Sequence, residues 1–110
     1  MSTQAETIAY ILEKIGEPRH FTFRAMFGEY ALYADGKVVA LVCDDTLYVK
    51  ILPASAELEP LCEKGPPYPG AKDHYVVEEG QIHTIPYFAE LLRGIADALP
   101  AKKLKRKKVT

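Results

Sequence analysis

The chain of 110 residues is poor in the residues that build metal centres and disulfide frameworks. It has two cysteines and three histidines, and no Cys-x-x-Cys pair occurs. Two cysteines do not make a disulfide framework, and Cys43 ends an apolar, strand-like run in which a thiol usually acts as a small hydrophobe. The histidines lie far apart in sequence (His20, His74 and His83), which favours surface or hydrogen-bonded roles. We expect no metal site and no cofactor.

Long apolar stretches are also missing. The longest uninterrupted one runs from Val38 to Cys43, whereas a membrane-spanning helix needs about 20 apolar residues. The N-terminus lacks the basic region of a signal peptide, and Glu6 and Glu13 interrupt the segment that follows. We therefore expect a cytoplasmic protein that does not contact membranes.

Recognisable catalytic patterns are absent as well. Ser2 and Ser55 are the only serines, and neither lies in a nucleophile-elbow pattern. Two acidic pairs occur, at residues 44–45 and 78–79, but adjacent strand residues point to opposite faces, so neither pair forms a dyad. No phosphate-binding glycine motif surrounds Gly28. The sequence predicts no catalytic residues.

The net charge of −1 conceals two regions of opposite charge. A basic segment near the C-terminus carries six positive charges, at Lys102, Lys103, Lys105, Arg106, Lys107 and Lys108. Residues 1–101 hold the other eight basic residues against all fifteen acidic ones, which leaves −7. We predict a folded domain over residues 1–100 and a basic, disordered tail over residues 101–110, because like charges repel one another.

Helical periodicity is predicted at both ends of the domain. Residues 3–16 form an amphipathic helix in which Thr3 and Glu6 match a capping box. A second helix follows Pro86 and stops at Pro100. Each helix has one apolar face, formed by Ile8, Ile11, Leu12 and Ile15 in the first and by Phe88, Leu91, Leu92, Ile95 and Leu99 in the second.

Between the helices the apolar residues alternate as they do in strands. Residues 21–52 are predicted to form a meander of three or four antiparallel strands, with turns at Asp35-Gly36 and Asp44-Asp45. A broken helix at residues 54–64, a strand at residues 73–79 and a short strand at residues 81–85 complete the domain. The expected class is α+β, a two-layer fold with an antiparallel meander sheet packed with an N-terminal and a C-terminal helix.

Two amphipathic helices cover only one face of such a sheet. The other face is expected to leave apolar side chains in solvent, namely Val39 or its neighbours, Tyr33, Tyr48 and Tyr75. An apolar patch of this kind on a small domain often marks a subunit interface. The pattern therefore predicts a homodimer or another protein partner.

A set of short motifs resembles the N-terminal domain of the TfoX/Sxy family, which is named for bacterial regulators of natural competence. The motifs are Arg24-Ala25-Met26-Phe27-Gly28, then Leu32-Tyr33 and Asp35-Gly36, then Leu47-Tyr48-Val49-Lys50, with Gly65 and Ile85-Pro86 farther on. They cover most of residues 3–99. The resemblance implies a helix, an antiparallel sheet and a C-terminal helix, often dimeric, with no known catalytic residues. Full-length competence regulators add a helical second domain where this chain has its basic tail, so we expect a stand-alone domain.

The motifs also supply the candidate interaction residues, which are Arg24, Met26, Phe27, Gly28, Tyr33, Gly36, Tyr48 and Lys50. Arg24 and Lys50 either bind an anion or a partner, or serve the fold through ion pairs and by covering tyrosines with their long stems. Gly28 either brings a ligand close to the backbone or marks a bend between two strands.

Three functions stay open. The first is a non-enzymatic, dimeric domain that acts by protein interaction, with a role in competence or transcription regulation implied by the resemblance alone. The second is a nucleic-acid-binding accessory protein whose tail neutralises phosphates weakly and without sequence preference, unless that tail folds back on the acidic domain. The third is a small-ligand or enzyme domain with a site near Arg24 and Lys50.

Overall fold

A computed structural model describes residues 3–26 and 29–99 as two helices packed on one antiparallel sheet. The helices are α1 (Ala5–Ile15) and α2 (Phe88–Ala98), and short 3-10 helices span Pro53–Leu58 and Glu79–Thr84. The strands are β1 (Phe21–Met26), β2 (Glu29–Ala34), β3 (Lys37–Cys43), β4 (Thr46–Val49), β5 (Glu63–Gly65) and β6 (His74–Val77). They lie in the order β1-β2-β3-β4-β6-β5. The predicted α+β class is confirmed.

Both predicted hairpin turns are present. Asp35 and Gly36 have φ values of 51° and 86°, and Asp44 and Asp45 have φ values of 53° and 63°. Two successive positive φ values match the right-handed twist of the flanking strands, and aspartate tolerates them better than most residues. These turns connect β2 to β3 and β3 to β4.

The core lies between the helices and one face of the sheet. The buried side chains on the helices include Ile11 and Ile15 of α1, and Leu92 and Ile95 of α2. They belong to one cluster with the sheet residues Phe21, Leu32, Ala34, Val39, Ala40, Val42, Leu47, Val49, Tyr75 and Val77. At the end of α2, where the last carbonyls of a helix lack i+4 partners, the ammonium of Lys37 donates hydrogen bonds to the carbonyls of Ala96 and Leu99.

The prediction of solvent-facing side chains is wrong for Val39 and Tyr75, which are buried. Val38, the other residue that it allowed, is half-buried and pairs with Tyr33. The pairing of β2 with β3 contains an irregularity between Leu32 and Tyr33, so Val39 and Ala40 are both buried in the core. Tyr75 pairs with Val49 and shares its buried face. The alternation of inward and outward side chains that is expected along β3 does not predict this change of register.

Two further predicted elements differ from the structure. Residues 81–85 are not a strand, because the second 3-10 helix occupies Glu79–Thr84. The side chain of Gln81 accepts a hydrogen bond from the backbone N–H of Glu78 and donates one to the carbonyl of Leu61, which holds this segment in a turn. The broken helix predicted at residues 54–64 is a 3-10 helix that gives way to β5.

The predicted capping box of Thr3 and Glu6 is also wrong, because a distant turn caps α1. The carboxylate of Asp45 accepts hydrogen bonds from the N–H of Gln4 and the hydroxyl of Thr7, both at 2.8 Å. Thr3 instead donates to Glu29 Oε1 at 2.6 Å, and that oxygen also accepts from the N–H of Asp44 at 3.0 Å. The β3–β4 turn therefore fastens the start of the first helix to the sheet.

We predict that Asp45→Ala lowers the melting temperature by several degrees, because α1 loses its cap and alanine is strained at a positive φ. Asp45→Asn should lower the melting temperature less, since the amide oxygen still accepts hydrogen bonds and asparagine tolerates this φ. The hydrogen bonds from Gln4 and then Thr7 hold the pKa of Asp45 below its ordinary value of 3.8. Its ionised form therefore stabilises the fold above that pH and loses this effect as the pH falls through the lower, folded-state value.

Thermal unfolding of the wild type and Asp45→Asn between pH 7 and pH 2.5 checks this prediction. The difference in melting temperature should be constant at neutral pH and shrink on the acid side. A difference that grows with acidification would contradict the assigned role of the carboxylate.

Candidate functional site

The sheet face opposite the helices, here named the open face, carries a continuous row of paired residues. The strand registers align Arg24, Ala31, Leu41, Tyr48, Val76 and Glu63 from β1 to β5. The row has one charged residue at each end and apolar or aromatic side chains between them. Leu41, Tyr48 and Val76 are half-buried, as is Tyr33 on the same face. The prediction that Tyr33 and Tyr48 lie on an uncovered face therefore agrees with the structure.

Arg24 lies on the open face at the outer strand of the sheet. Its guanidinium carbon is 5.7 Å from the centre of the Tyr33 ring, within the range of a cation–π contact. Arg24 itself is exposed, so its planar group covers the tyrosine and still faces solvent. The contact corresponds to the fold-serving role that the sequence offers as one alternative for this residue.

A cleft of about 400 Å³ lies at one end of the open face. Its lining includes Met26 of β1, Leu41 and Cys43 of β3, and Pro67 and Tyr68 of the loop after β5. Pro67 is buried, whereas Met26 and Tyr68 are 41% and 55% exposed. Sequence reasoning identified Met26 as a candidate. The proline-rich composition of residues 66–70 predicts a stiff loop, but Pro67 and Tyr68 were not among the candidate site residues.

Two side chains at this cleft and beside it, Cys43 and Tyr48, have a raised pKa. Burial raises the pKa of the Cys43 thiol, and the carboxylates of Glu29 and Asp44 raise it further. Burial likewise raises the pKa of Tyr48, with additional effects from Cys43 and Asp44. A thiol that stays protonated is a poor nucleophile. The cleft, whose lining also includes Glu29 and Tyr30, is therefore a largely apolar contact surface.

Lys50 lies at the other end of the strands, directly after β4. Its backbone N–H donates to the carbonyl of Val39 at 3.1 Å. Its own carbonyl accepts from the buried hydroxyl of Ser55 at 2.7 Å, and the same hydroxyl oxygen accepts from the N–H of Leu52 at 3.0 Å. These bonds fix the backbone at Lys50, and burial lowers the pKa of its ammonium group.

The structure does not bring Arg24 and Lys50 together. Arg24 is on β1 and Lys50 follows β4, which places them three strand spacings apart, about 14 Å. Lys50 instead lines a groove with Lys72 and His74, two residues that sequence reasoning did not associate with it. His74 forms a hydrogen bond from Nδ1 to the carbonyl of Lys72 at 2.9 Å.

The remaining candidate residues have other positions. Gly36 lies in the β2–β3 turn, where its φ of 86° suits glycine. Phe27, Gly28 and the six basic tail residues lie outside the described residues. Within residues 3–26 and 29–99, no three His, Cys, Asp or Glu side chains are grouped so that they could hold a metal ion. No helix in this part of the chain is long and apolar enough to cross a membrane.

The fold and the open face together define a small α+β domain with one sheet face available for contacts. Comparison with known proteins identifies the family to which this domain belongs. The sequence model of the TfoX N-terminal domain matches residues 12–89. An uncharacterized 12.7 kDa protein in the trpE 5′ region of Spirochaeta aurantia is 41% identical over 108 residues, which cover 98% of this chain and 93% of the relative. The chain belongs to the TfoX N-terminal domain family.

We predict that Ser55→Ala lowers the free energy of unfolding by roughly 1–3 kcal/mol, because the Leu52 N–H and the Lys50 carbonyl lose a buried partner. Urea unfolding measures this change. Thr22→Ala, at an exposed position on β1, is the control and should change stability by about 0.5 kcal/mol or less. Equal effects of the two substitutions would contradict the role given to Ser55.

Proposed function

We propose that this protein is a cytoplasmic, non-enzymatic domain of regulatory type that acts by protein interaction and self-associates through the open face. The observation that carries the proposal is the apolar cleft flanked by the exposed side chains of Met26 and Tyr68. Exposed apolar surface gathered around a concave site is typical of protein interfaces. Membership in the TfoX N-terminal domain family supports a regulatory role of this general kind.

The cleft and its rim are suited to a second copy of the same chain. A two-fold symmetric interface uses one surface patch on both subunits, so that patch must be complementary to itself. Here one patch offers a cleft of about 400 Å³ and, beside it, a tyrosine that is 55% exposed. A two-fold arrangement inserts each Tyr68 ring into the cleft of the other copy. Buried aromatic rings of this kind often dominate the binding energy of an interface.

Sedimentation equilibrium at micromolar concentrations tests self-association. We expect the wild type to form dimers, and Tyr68→Ser and Met26→Ser each to weaken the dimer by about tenfold or more, because each removes apolar contact area at the centre of the interface. Tyr87→Ser is the matched control, since Tyr87 is 77% exposed but lies beside α2. A wild type that stays monomeric, or a dimer that Tyr87→Ser weakens as much, would contradict the proposal.

A second candidate function is nucleic-acid binding by the basic tail, favoured by six positive charges within residues 102–108. The balance of −7 in residues 1–101 repels phosphate, so the tail is the segment expected to make the contacts. Such binding is weak, insensitive to base sequence and strongly dependent on salt.

Binding of a fluorescent DNA duplex at several salt concentrations tests this candidate. The full chain is compared with a variant in which the six basic tail residues are replaced by glutamine. We expect the logarithm of the binding constant to fall with the logarithm of salt concentration with a slope near −0.9 per phosphate contacted. The variant should lose nearly all binding. Binding that is insensitive to salt, or unchanged in the variant, would rule the tail out.

A further inference from the structure

Lys50 is a half-buried cation that lacks a counterion among the described residues. Its ammonium group has no hydrogen-bond or ion-pair partner there. Its pKa is lowered by burial alone, with no opposing effect from a neighbouring carboxylate. Partial burial of an unpaired charge has a free-energy cost, and such groups in clefts frequently belong to binding sites.

The groove around Lys50 contains further groups that favour an anion. Its volume is about 280 Å³, and it is lined by Lys50, Ile51, Leu52, Lys72, Asp73 and His74. The two lysines outweigh the single carboxylate of Asp73. Because a carbonyl oxygen only accepts, the hydrogen bond to Lys72 places a proton on Nδ1 of His74. Nε2 of the neutral ring is then an acceptor, so the attraction for an anion comes from the two lysines.

The groove also has an apolar side. Ile51 is 37% exposed and Leu52 is half-buried, so part of the wall offers hydrocarbon rather than charge. The volume is just below the range of about 300–1,000 Å³ that is common for small-molecule pockets. Such a site suits a compact ligand with one charged and one apolar end.

We propose that this groove binds a small oxyanion that carries an apolar substituent, with Lys50 and Lys72 supplying the positive charge and Ile51 and Leu52 contacting the substituent. A phosphate monoester and a carboxylate share this chemistry. The doubly charged phosphate should bind more tightly, because a lysine ammonium acts as a point charge whose attraction grows with the charge of its partner. The site lies at the opposite end of the strands from the Met26–Tyr68 cleft and does not depend on self-association.

Titration of the full-length, ¹⁵N-labelled protein with three probes tests the proposal. The probes are phenyl phosphate, benzoate and benzylammonium, which share an aromatic ring and differ in charge. We expect both anions to shift the backbone amide signals of Leu52, Asp73 and His74 in a saturable way, with tighter binding of phenyl phosphate. Benzylammonium should leave these signals unchanged. Equal shifts from the cation, or no saturable shift from either anion, would overturn the proposal.

Substitutions test which lysines bind phenyl phosphate. Lys50→Met should weaken phenyl phosphate binding by about tenfold or more, the usual effect of losing a charge-assisted contact. It should not lower the melting temperature, because an unpaired ammonium leaves a half-buried position. Lys72→Met, at an exposed position, tests the same groove without disturbing buried groups, and Lys14→Met on α1 is the control that should leave binding unchanged.

The basic tail is the competing phosphate-binding segment. The same spectra distinguish binding in the groove from binding to the tail. If phenyl phosphate shifts only signals of residues 101–110, or if neither Lys50→Met nor Lys72→Met weakens binding, the groove is not the site and the proposal fails. Sedimentation of the same variants reports independently on self-association, so either proposal can fail without the other.

Discussion

The irregular pairing of β2 with β3 is the constraint on which most of this molecule depends. The shift between Leu32 and Tyr33 puts both Val39 and Ala40 into the core. It leaves Tyr33 and Leu41 on the open face. Arg24 covers the Tyr33 ring, and the loop after β5 borders Leu41. The carbonyl of Val39 also receives the N–H of Lys50. The irregular pairing of β3 with β2 therefore determines which residues of β3 lie in the core and which lie on the open face, and it places the Val39 carbonyl beside Lys50 in the groove.

One end of each helix is held by a side chain in a hairpin turn or directly after one. Asp45 caps the start of α1, and Lys37 binds the carbonyls at the end of α2. Each of these hydrogen bonds joins groups that are far apart in sequence, so the helices and the sheet stabilise one another. Asp45 serves both the turn and the helix, because its positive φ completes the β3–β4 turn and its carboxylate caps α1.

Two surfaces with different chemistry result at opposite ends of the strands. The cleft between Met26 and Tyr68 is apolar, and burial keeps the neighbouring Cys43 thiol protonated. The groove at Lys50 is cationic and partly desolvated. We propose the first surface for self-association and the second for a small anion. The two proposals rest on separate residues.

Local sequence patterns determined the helices, the two tight turns, the antiparallel sheet and the family, because period, turn chemistry and motif order are properties of neighbouring residues. They also indicated Arg24, Met26, Tyr33, Tyr48 and Lys50 as candidate surface residues. Only the tertiary structure decided that Val39 and Tyr75 are buried, that Asp45 replaces Glu6 at the start of α1, and that Lys50 lies with Lys72 and His74 rather than with Arg24. Each of these depends on strand register or on contacts between residues distant in sequence, which periodicity does not encode.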